Sequence, residues 1–208
     1  MVRVKICGIT NLEDAQASVE AGADALGFIF VEGTPRFIAA AAAARIIAAL
    51  PPFVTPVGVF WDHAPGHVAT VAEQCRLGAL QFHGDEPPEA LAGCTLPAIK
   101  TIKVKGAESL EALDRYPACA FLLDSPARWS EGEPRASISW ELVRRVALDR
   151  PIILSAGLTP DTVRAAIRLT RPFGVDVNSG VEARPGKKDP EKLRRFVAAA
   201  KAAHEESS

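Results

Sequence analysis

Eight short apolar segments that alternate with helical segments predict an α/β fold, a single (β/α)8 TIM barrel spanning residues 1–208. Each apolar segment is bounded by Gly, Pro or Asp, as strands commonly are. The alternation implies a parallel sheet, and eight units exceed the roughly five or six strands of a common open doubly wound sheet. Hydrophobic residues make up 48% of the chain and charged residues 24%, which is typical of a globular domain with one sizeable core.

The predicted strands are runs rich in Val, Ile, Leu, Phe and Ala. In chain order they cover residues 2–6, 25–30, 54–60, 79–82, 98–102, 120–123, 152–154 and 174–177. Between them, residues 11–21 begin with an Asn cap, and residues 37–50 carry an Ala run that ends before a Pro-Pro pair. Thr159-Pro160 and Asp189-Pro190 each join a capping residue to a proline at the first helical position, which predicts two further helix starts.

Two connections that follow strands are longer than the others, at residues 31–36 and 125–137. The catalytic groups of such barrels lie on the loops after the carboxyl ends of the strands. Both long connections are therefore candidate active-site loops.

Charge and composition exclude several classes of partner. The formal net charge is −1, so the chain lacks the basic excess that nucleic-acid binding requires. No apolar run reaches the length of a membrane span, and residues 1–5 contain no apolar signal-peptide core. The four cysteines show no zinc or C-x-x-C spacing. We therefore expect a cytoplasmic protein that binds neither nucleic acid nor membrane.

The ends of the first and sixth strands carry titratable side chains. In the first strand the apolar residues alternate with Lys5 and Cys7, so both side chains are predicted to point into the barrel, with Cys7 at its carboxyl-terminal mouth. Asp124 points inward at the end of the sixth strand. A thiol and a carboxyl in one pocket can take opposite acid–base roles. A small buried cysteine and a turn-capping aspartate are the alternatives.

An inward-facing acidic residue also lies in the eighth strand. Asp176 points into the barrel because Val175 and Val177 face outward. In a closed barrel the eighth strand neighbours the first, so Asp176 and Lys5 are predicted to form a buried ion pair. Lys5 is expected to lie too deep in the barrel to contact the sulfur of Cys7.

Two further polar residues are predicted at the mouth. Arg36 ends the first long loop behind Pro35, where its guanidinium could clamp a carboxylate or be an ordinary solvated side chain. His83 follows the fourth strand and is expected to line the pocket.

The turns after the seventh and eighth strands are Ser155-Ala156-Gly157 and Asn178-Ser179-Gly180, at the usual phosphate position of such barrels. Plain tight turns are the alternative. No G-x-G-x-x-G motif suggests a dinucleotide, and residues 180–188 have the wrong spacing for a P-loop. His63 and His67 have no third ligand at a metal-site spacing, so no metal is predicted.

Taken in order, six motifs resemble those of the phosphoribosylanthranilate isomerase family of tryptophan biosynthesis. They are Lys5-Ile6-Cys7-Gly8-Ile9-Thr10, Ala21-Gly22-Ala23-Asp24-Ala25-Leu26-Gly27-Phe28, Thr34-Pro35-Arg36-Phe37, Gln81-Phe82-His83-Gly84-Asp85-Glu86, Leu123-Asp124-Ser125 and Gly174-Val175-Asp176-Val177-Asn178-Ser179-Gly180-Val181-Glu182. The resemblance covers residues 3–197, and its specific part is the K-I-C-G opening combined with the V-D-V-N-S-G-V-E close.

The resemblance implies a barrel that isomerises N-(5-phosphoribosyl)anthranilate, a phosphorylated aminosugar, by an Amadori rearrangement without metal or cofactor. It implies Cys7 as general base, Asp124 as general acid and Arg36 as partner of the anthranilate carboxylate. It also implies that the turns at 156–157 and 179–180 hold the phosphate. His83 and Asp176 complete the predicted substrate-binding set, and both a monomer and a homodimer remain open.

Two departures from the family pattern affect these expectations. Residues 129–135 carry Glu131, Glu133 and Pro134 where the family has a Gly-rich loop, so we expect this loop to stand away from the phosphate. Ala156 replaces a family glycine, which costs little only if the backbone there has an ordinary φ.

Two alternatives to this function remain. One is a related phosphosugar isomerase, such as that of histidine synthesis, which uses an Asp base where this chain has Cys7. The other is a barrel that binds a phosphorylated ligand without turnover.

Overall fold

The computed structural model describes residues 1–125, 138–144 and 150–205. Eight parallel strands form a closed barrel in sequence order with β8 paired to β1, so the predicted (β/α)8 barrel is confirmed. The strands are β1 (Arg3–Ile6), β2 (Ala25–Ile29), β3 (Thr55–Phe60), β4 (Ala79–Phe82), β5 (Ala98–Lys103), β6 (Ala120–Asp124), β7 (Ile152–Leu154) and β8 (Gly174–Val177). Each of these boundaries lies within one residue of the sequence prediction.

Helices connect the strands. They are α1 (Leu12–Glu20), α2 (Ala40–Ile47), α3 (Pro65–Cys75), α4 (Pro88–Ala92), a 3₁₀ helix (Ala107–Arg115), α5 (Trp140–Arg144), α6 (Val163–Thr170) and α7 (Pro190–Glu205). The predicted caps of α1 and α7 are confirmed, because Asn11 accepts a hydrogen bond from the N–H of Asp14 at 2.9 Å and Asp189 accepts one from the N–H of Lys192 at 3.1 Å. In the described part of the chain, no helix is both long and apolar enough to cross a membrane.

The helix predicted over residues 37–50 is shorter than expected. It begins at Ala40 and ends at Ile47. Phe37 instead forms an isolated parallel bridge to Ile29, and the N–H of Ile38 donates to the carbonyl of Ile29 at 3.0 Å. Pairing with the barrel edge therefore keeps these residues extended and fixes the end of the loop that carries Arg36.

The predicted cap at Thr159 is wrong. Helix α6 begins at Val163, three residues after the proline that was expected to start it. The hydroxyl of Thr159 lies 3.2 Å from that of Thr162, and the N–H of Thr159 donates to the same Thr162 hydroxyl at 3.0 Å. The two threonines thus close a turn ahead of the helix.

The barrel wall separates two apolar layers. Val4 and Ile6 of β1 are fully buried in the large outer core, together with α7 residues such as Phe196. Inside the barrel a second cluster comprises Val57, Ala79, Ile99, Ala120, Leu122 and Ile153. Cys7 belongs to a third, small cluster with Ile29 and Val59. The predicted inward and outward alternation of β1 is therefore confirmed.

Sequence analysis missed a two-stranded hairpin after β8. Strands β9 (Glu182–Arg184) and β10 (Lys187–Lys188) pair antiparallel, and Gly186 takes a φ of +77° in the turn between them. The hairpin is tied to the start of α1 because the N–H of Lys188 donates to a carboxylate oxygen of Asp14 at 2.8 Å. This hairpin brings two charged side chains to the mouth of the barrel.

Candidate active site

Cys7 lies just after β1, at the mouth of the barrel. Its N–H donates to the carbonyl of Val177 at 2.8 Å, which extends the pairing of β1 with β8. The residue is 5% exposed and packs against Ile29 and Val59. Gly27 leaves the space for the thiol, since a Cβ on that glycine would lie 2.8 Å from the sulfur.

Lys5 and Asp176 form the predicted buried ion pair. They are register partners across β1 and β8, and Lys5 Nζ lies 2.8 Å from Asp176 Oδ1. The second oxygen, Oδ2, accepts a hydrogen bond from the hydroxyl of Ser155 at 3.5 Å. Asp176 is therefore committed to protein partners, and its predicted contact with substrate stays a prediction.

The Cys7 thiol and the Lys5 ammonium interact electrostatically. Burial raises the pKa of Cys7, and the nearby cations Lys5 and Lys188 oppose that rise without cancelling it. Burial lowers the pKa of Lys5, but attraction to Asp176 and Cys7 outweighs it and leaves the pKa above its ordinary value. The expectation that Lys5 lies too deep to contact the sulfur stays a prediction, and the influence of the ammonium on the thiol is electrostatic.

Asp124 ends β6 with His83 beside it. One carboxyl oxygen of Asp124 accepts from the N–H of Ser125 at 2.8 Å, and the other lies 3.7 Å from His83 Nε2. The amide nitrogen of Gln81 lies 3.3 Å from His83 Nδ1 and 3.2 Å from the hydroxyl of Thr101. With the Gln81 amide in this orientation Nδ1 accepts, so a neutral His83 carries its hydrogen on Nε2, facing Asp124, while Gln81 Oε1 is buried with no hydrogen-bond partner among the described residues.

Arg36 is neither solvated nor free. Its Nε lies 2.9 Å from Glu182 Oε1 and its Nη2 lies 2.6 Å from Glu182 Oε2, a bidentate pair in which the Arg36 side chain is 12% exposed. Among the described residues, only these two nitrogens of the guanidinium have hydrogen-bond partners. Burial raises the pKa of Glu182. The hydrogen bond from Arg36 and the charge of Lys188 outweigh that effect, so the pKa lies below its ordinary value.

The turns after β7 and β8 lie against each other. Any Cβ on Gly180 would clash with the carbonyl oxygen of Leu158. This contact requires glycine at position 180 and brings the two predicted phosphate turns into one wall of the mouth. Their contact with phosphate stays a prediction.

The backbone of Ala156 is strained. Ala156 and Gly157 both have a φ of +71°, and Ala156 is 2% exposed. The expectation of a low cost required an ordinary φ, and that condition is not met. The left-handed backbone conformation costs an alanine roughly 1–2 kcal/mol, a cost that glycine does not have. The second departure, at residues 129–135, lies outside the described residues.

A second buried ion pair supports the loop that carries His83. Lys100 Nζ lies 2.6 Å from Glu86 Oε2 and 2.7 Å from the carbonyl oxygen of Gly84. The other oxygen of Glu86 accepts from the N–H groups of Asp62, at 2.9 Å, and Gly84, at 3.0 Å. Lys100 thus ties the H-G-D-E motif to β5.

Sequence reasoning missed three residues of this region: Glu182, Lys188 and Lys100. Glu182 ends the closing motif, and Lys188 was considered only within a rejected P-loop. The position of Glu182 at the end of that motif was the available signal, and it does not identify Arg36 as its partner. Among the described residues, no cluster of three or more His, Cys, Asp or Glu is placed to hold a metal ion.

A closed (β/α)8 barrel with buried titratable groups at its carboxyl-terminal mouth has the architecture of a barrel enzyme. Residues 4–199 match the family profile described as N-(5'phosphoribosyl)anthranilate (PRA) isomerase. The N-(5'-phosphoribosyl)anthranilate isomerase of Pelobacter propionicus is 45% identical over 208 residues, which is 100% of both chains. The chain belongs to the phosphoribosylanthranilate isomerase family.

Solved structures agree with this assignment. A phosphoribosyl anthranilate isomerase in complex with reduced 1-(o-carboxyphenylamino)-1-deoxyribulose 5-phosphate has a TM-score of 0.87 and 44% identity, covering 97% of this chain and 100% of that one. Monomers generated from the dimeric enzyme of Thermotoga maritima have a TM-score of 0.86 and 42% identity, with the same coverage of 97% and 100%. The family expected from the sequence motifs is therefore confirmed.

Proposed function

We propose that this phosphoribosylanthranilate isomerase of tryptophan biosynthesis uses Cys7 as general base and Asp124 as general acid to convert N-(5-phosphoribosyl)anthranilate to 1-(2-carboxyphenylamino)-1-deoxyribulose 5-phosphate. The single observation that carries the residue roles is that both side chains end barrel strands at one mouth and are each 5% exposed. Membership of the family supports the reaction.

The first step opens the furanose ring. The carboxyl group of Asp124 donates its proton to the ring oxygen, and the bond between that oxygen and C1′ breaks. The lone pair of the anilino nitrogen forms the C1′=N⁺ bond of a protonated Schiff base. His83, 3.7 Å from Asp124, faces the carboxylate left after proton transfer.

The second step removes a proton from C2′. The Cys7 thiolate takes it, the C–H electron pair becomes a C1′=C2′ bond, and the imine electrons return to nitrogen. The resulting enolamine gives its C2′ hydroxyl proton to the Asp124 carboxylate and takes the proton of the Cys7 thiol at C1′, which gives the ketone and restores both groups to their starting states. The protonated imine acidifies the C2′ proton, so a modest base suffices.

The reactive protonation state holds one proton between the two groups. A thiolate with a neutral carboxyl has the same proton count as a thiol with a carboxylate. Because burial raises the pKa of Cys7, the reactive arrangement is the minor one. Lys5, which attracts the thiolate, increases its population.

Binding of the substrate would use the two sides of the mouth. Arg36 Nη1 would bind the anthranilate carboxylate while Glu182 holds the other edge of the guanidinium. The backbone N–H groups of Gly157 and Gly180 would bind the phosphate, since glycine permits close approach.

The test compares two aminoaldoses in one assay. Phosphoribosylanthranilate should be consumed and the carboxyphenylamino-deoxyribulose phosphate formed, while the aminoimidazole-carboxamide substrate of the histidine-pathway type should remain. Turnover of only the second substrate would contradict the proposal. Binding of phosphoribosylanthranilate without turnover would do so as well, in favour of a non-catalytic barrel.

We also infer that the chain acts as one domain in the cytoplasm, as a monomer or homodimer, with the phosphorylated aminosugar as its small-molecule partner. The free state of the four cysteines supports a reducing compartment. The dimeric Thermotoga relative supports the homodimer. Sedimentation of the purified chain distinguishes the two states by mass.

A further inference from the structure

Lys188 is a fully buried lysine that the proposed reaction does not use. Its side chain is 0% exposed. Its Nζ lies 3.2 Å from the carbonyl oxygen of Asn178, 3.0 Å from Asn178 Oδ1 and 3.2 Å from Glu182 Oε1. An ammonium has three N–H donors and an amine has two, so three acceptors fit the charged form. A charge so deep in the protein requires such pairing.

Asn178, the first of the two residues that Lys188 binds, connects it to the turn after Cys7. Asn178 Oδ1 lies 2.6 Å from the position that a Cβ of Gly8 would take, and Gly8 has a φ of +75°. Gly8 directly follows Cys7, so the side chain of Asn178 packs on the turn that ends β1. Lys188, by holding both oxygens of Asn178, fixes this packing.

Glu182, the second residue that Lys188 binds, connects it to Arg36. Glu182 Oε1 accepts from Lys188 Nζ, from Arg36 Nε at 2.9 Å and from the N–H of Gly186 at 3.2 Å. Three donors on one oxygen favour a carboxylate that stays charged and stationary. Because the other oxygen binds Arg36 Nη2, the orientation of the guanidinium depends on this carboxylate.

We propose that Lys188 is a positioning residue of the active site, which holds Asn178 against the turn that follows Cys7 and holds Glu182 against Arg36. It thereby joins the base on β1 to the substrate-binding guanidinium through the β9–β10 hairpin. The inference rests on the proposed roles of Cys7 and Arg36. Burial lowers the pKa of Lys188, and attraction to Glu182 and Cys7 opposes that change; in its charged form Lys188 opposes the rise that burial causes in the pKa of the Cys7 thiol.

Lys188→Met tests this, with Lys187→Met as the matched control. Lys187 is the adjacent residue, but its ammonium pairs with Asp14, at 2.8 Å, and with Glu13, at 2.9 Å, away from Cys7. The pH dependence of Cys7 alkylation by iodoacetamide, followed by mass spectrometry of the Cys7 peptide, gives the midpoint of thiol ionisation. Steady-state kinetics with phosphoribosylanthranilate gives KM.

In Lys188→Met the alkylation midpoint should rise by roughly one pH unit, the low end of the effect of a nearby opposite charge. The KM should rise about tenfold, as expected when a charged hydrogen bond loses its geometry. Lys187→Met should change neither. A folded Lys188→Met protein with both quantities unchanged would overturn the inference, as would equal changes in Lys187→Met.

Glu182→Gln provides a second test if Lys188→Met does not fold. The glutamine keeps the shape but turns an amide N–H toward a guanidinium N–H, so KM should again rise about tenfold. An unchanged KM would overturn the inference. The alkylation midpoint does not require Cys7 to be the base, so a fully active Cys7→Ala would refute the proposed function alone.

Discussion

Lys5 and Asp176 form an ion pair of 2.8 Å where β8 pairs with β1. Lys5 lies two residues before Cys7 in the chain. Their side chains are 5% and 7% exposed. Breaking a buried pair costs far more than forming one gains, since the remaining charge has no water to solvate it. The pair therefore supports both the closure of the barrel and the charge beside the thiol.

Lys5→Met should lower the free energy of unfolding by about 3–5 kcal/mol, because it leaves the Asp176 carboxylate buried without its cation. Urea unfolding followed by circular dichroism measures this. The control is Arg3→Met, whose ion pair with Asp24 has an arginine side chain that is 65% exposed. That exposed pair should contribute less than about 1 kcal/mol, and equal losses in the two variants would refute the argument.

Ala156→Gly should raise the free energy of unfolding by about 1 kcal/mol. It removes the strain of a left-handed alanine, and part of that gain is offset by the greater freedom of glycine in the unfolded chain. Thermal unfolding measures the difference. Ala69→Gly on the exposed side of α3 is the control and should lower stability by about 1 kcal/mol. A loss of stability in Ala156→Gly would mean that the positive φ carries no strain.

Arg36→Met should raise the KM for phosphoribosylanthranilate and change kcat little, because it removes binding that the substrate and the transition state share. Steady-state kinetics separates the two constants. Arg195→Met, at an exposed pair with Asp161, should change neither. An unchanged KM in Arg36→Met would exclude the carboxylate clamp.

The alkaline limb of the pH profile should report Cys7. Since the active state holds one proton between Cys7 and Asp124, kcat/KM falls only when that last proton is lost. Burial, against the attraction of Lys5, raises the pKa of Cys7 above its ordinary value of 9.0, so kcat/KM should be level through neutral pH and fall only above that value. A limb near neutral pH would show that another group controls the reaction.

The strands and the Lys5–Asp176 pair could be predicted because they follow from local rules. Apolar runs between turn residues set the strands, and the two-residue period of β1 placed Lys5 on the inward face. Closure of the barrel then made β8 the neighbour of β1. No homologue was needed for that step.

The pairing of Arg36 with Glu182 could not be predicted in this way. Glu182 and Lys188 lie on strands of three and two residues, which are too short to show a period. Their partners are set by a hairpin that folds back toward the loop of Arg36. The φ of Ala156 was equally hidden, since the identity of a residue does not reveal that its backbone is left-handed.

The turnover of Cys7→Ala and Asp124→Asn, measured beside the affinity for reduced 1-(o-carboxyphenylamino)-1-deoxyribulose 5-phosphate, tests the central claim most directly. Each variant should lose about 10²- to 10⁴-fold in kcat, because each loses a proton-transfer group, while the dissociation constant of the analogue changes little. A variant that keeps a kcat near that of the wild type would contradict the role given to its residue.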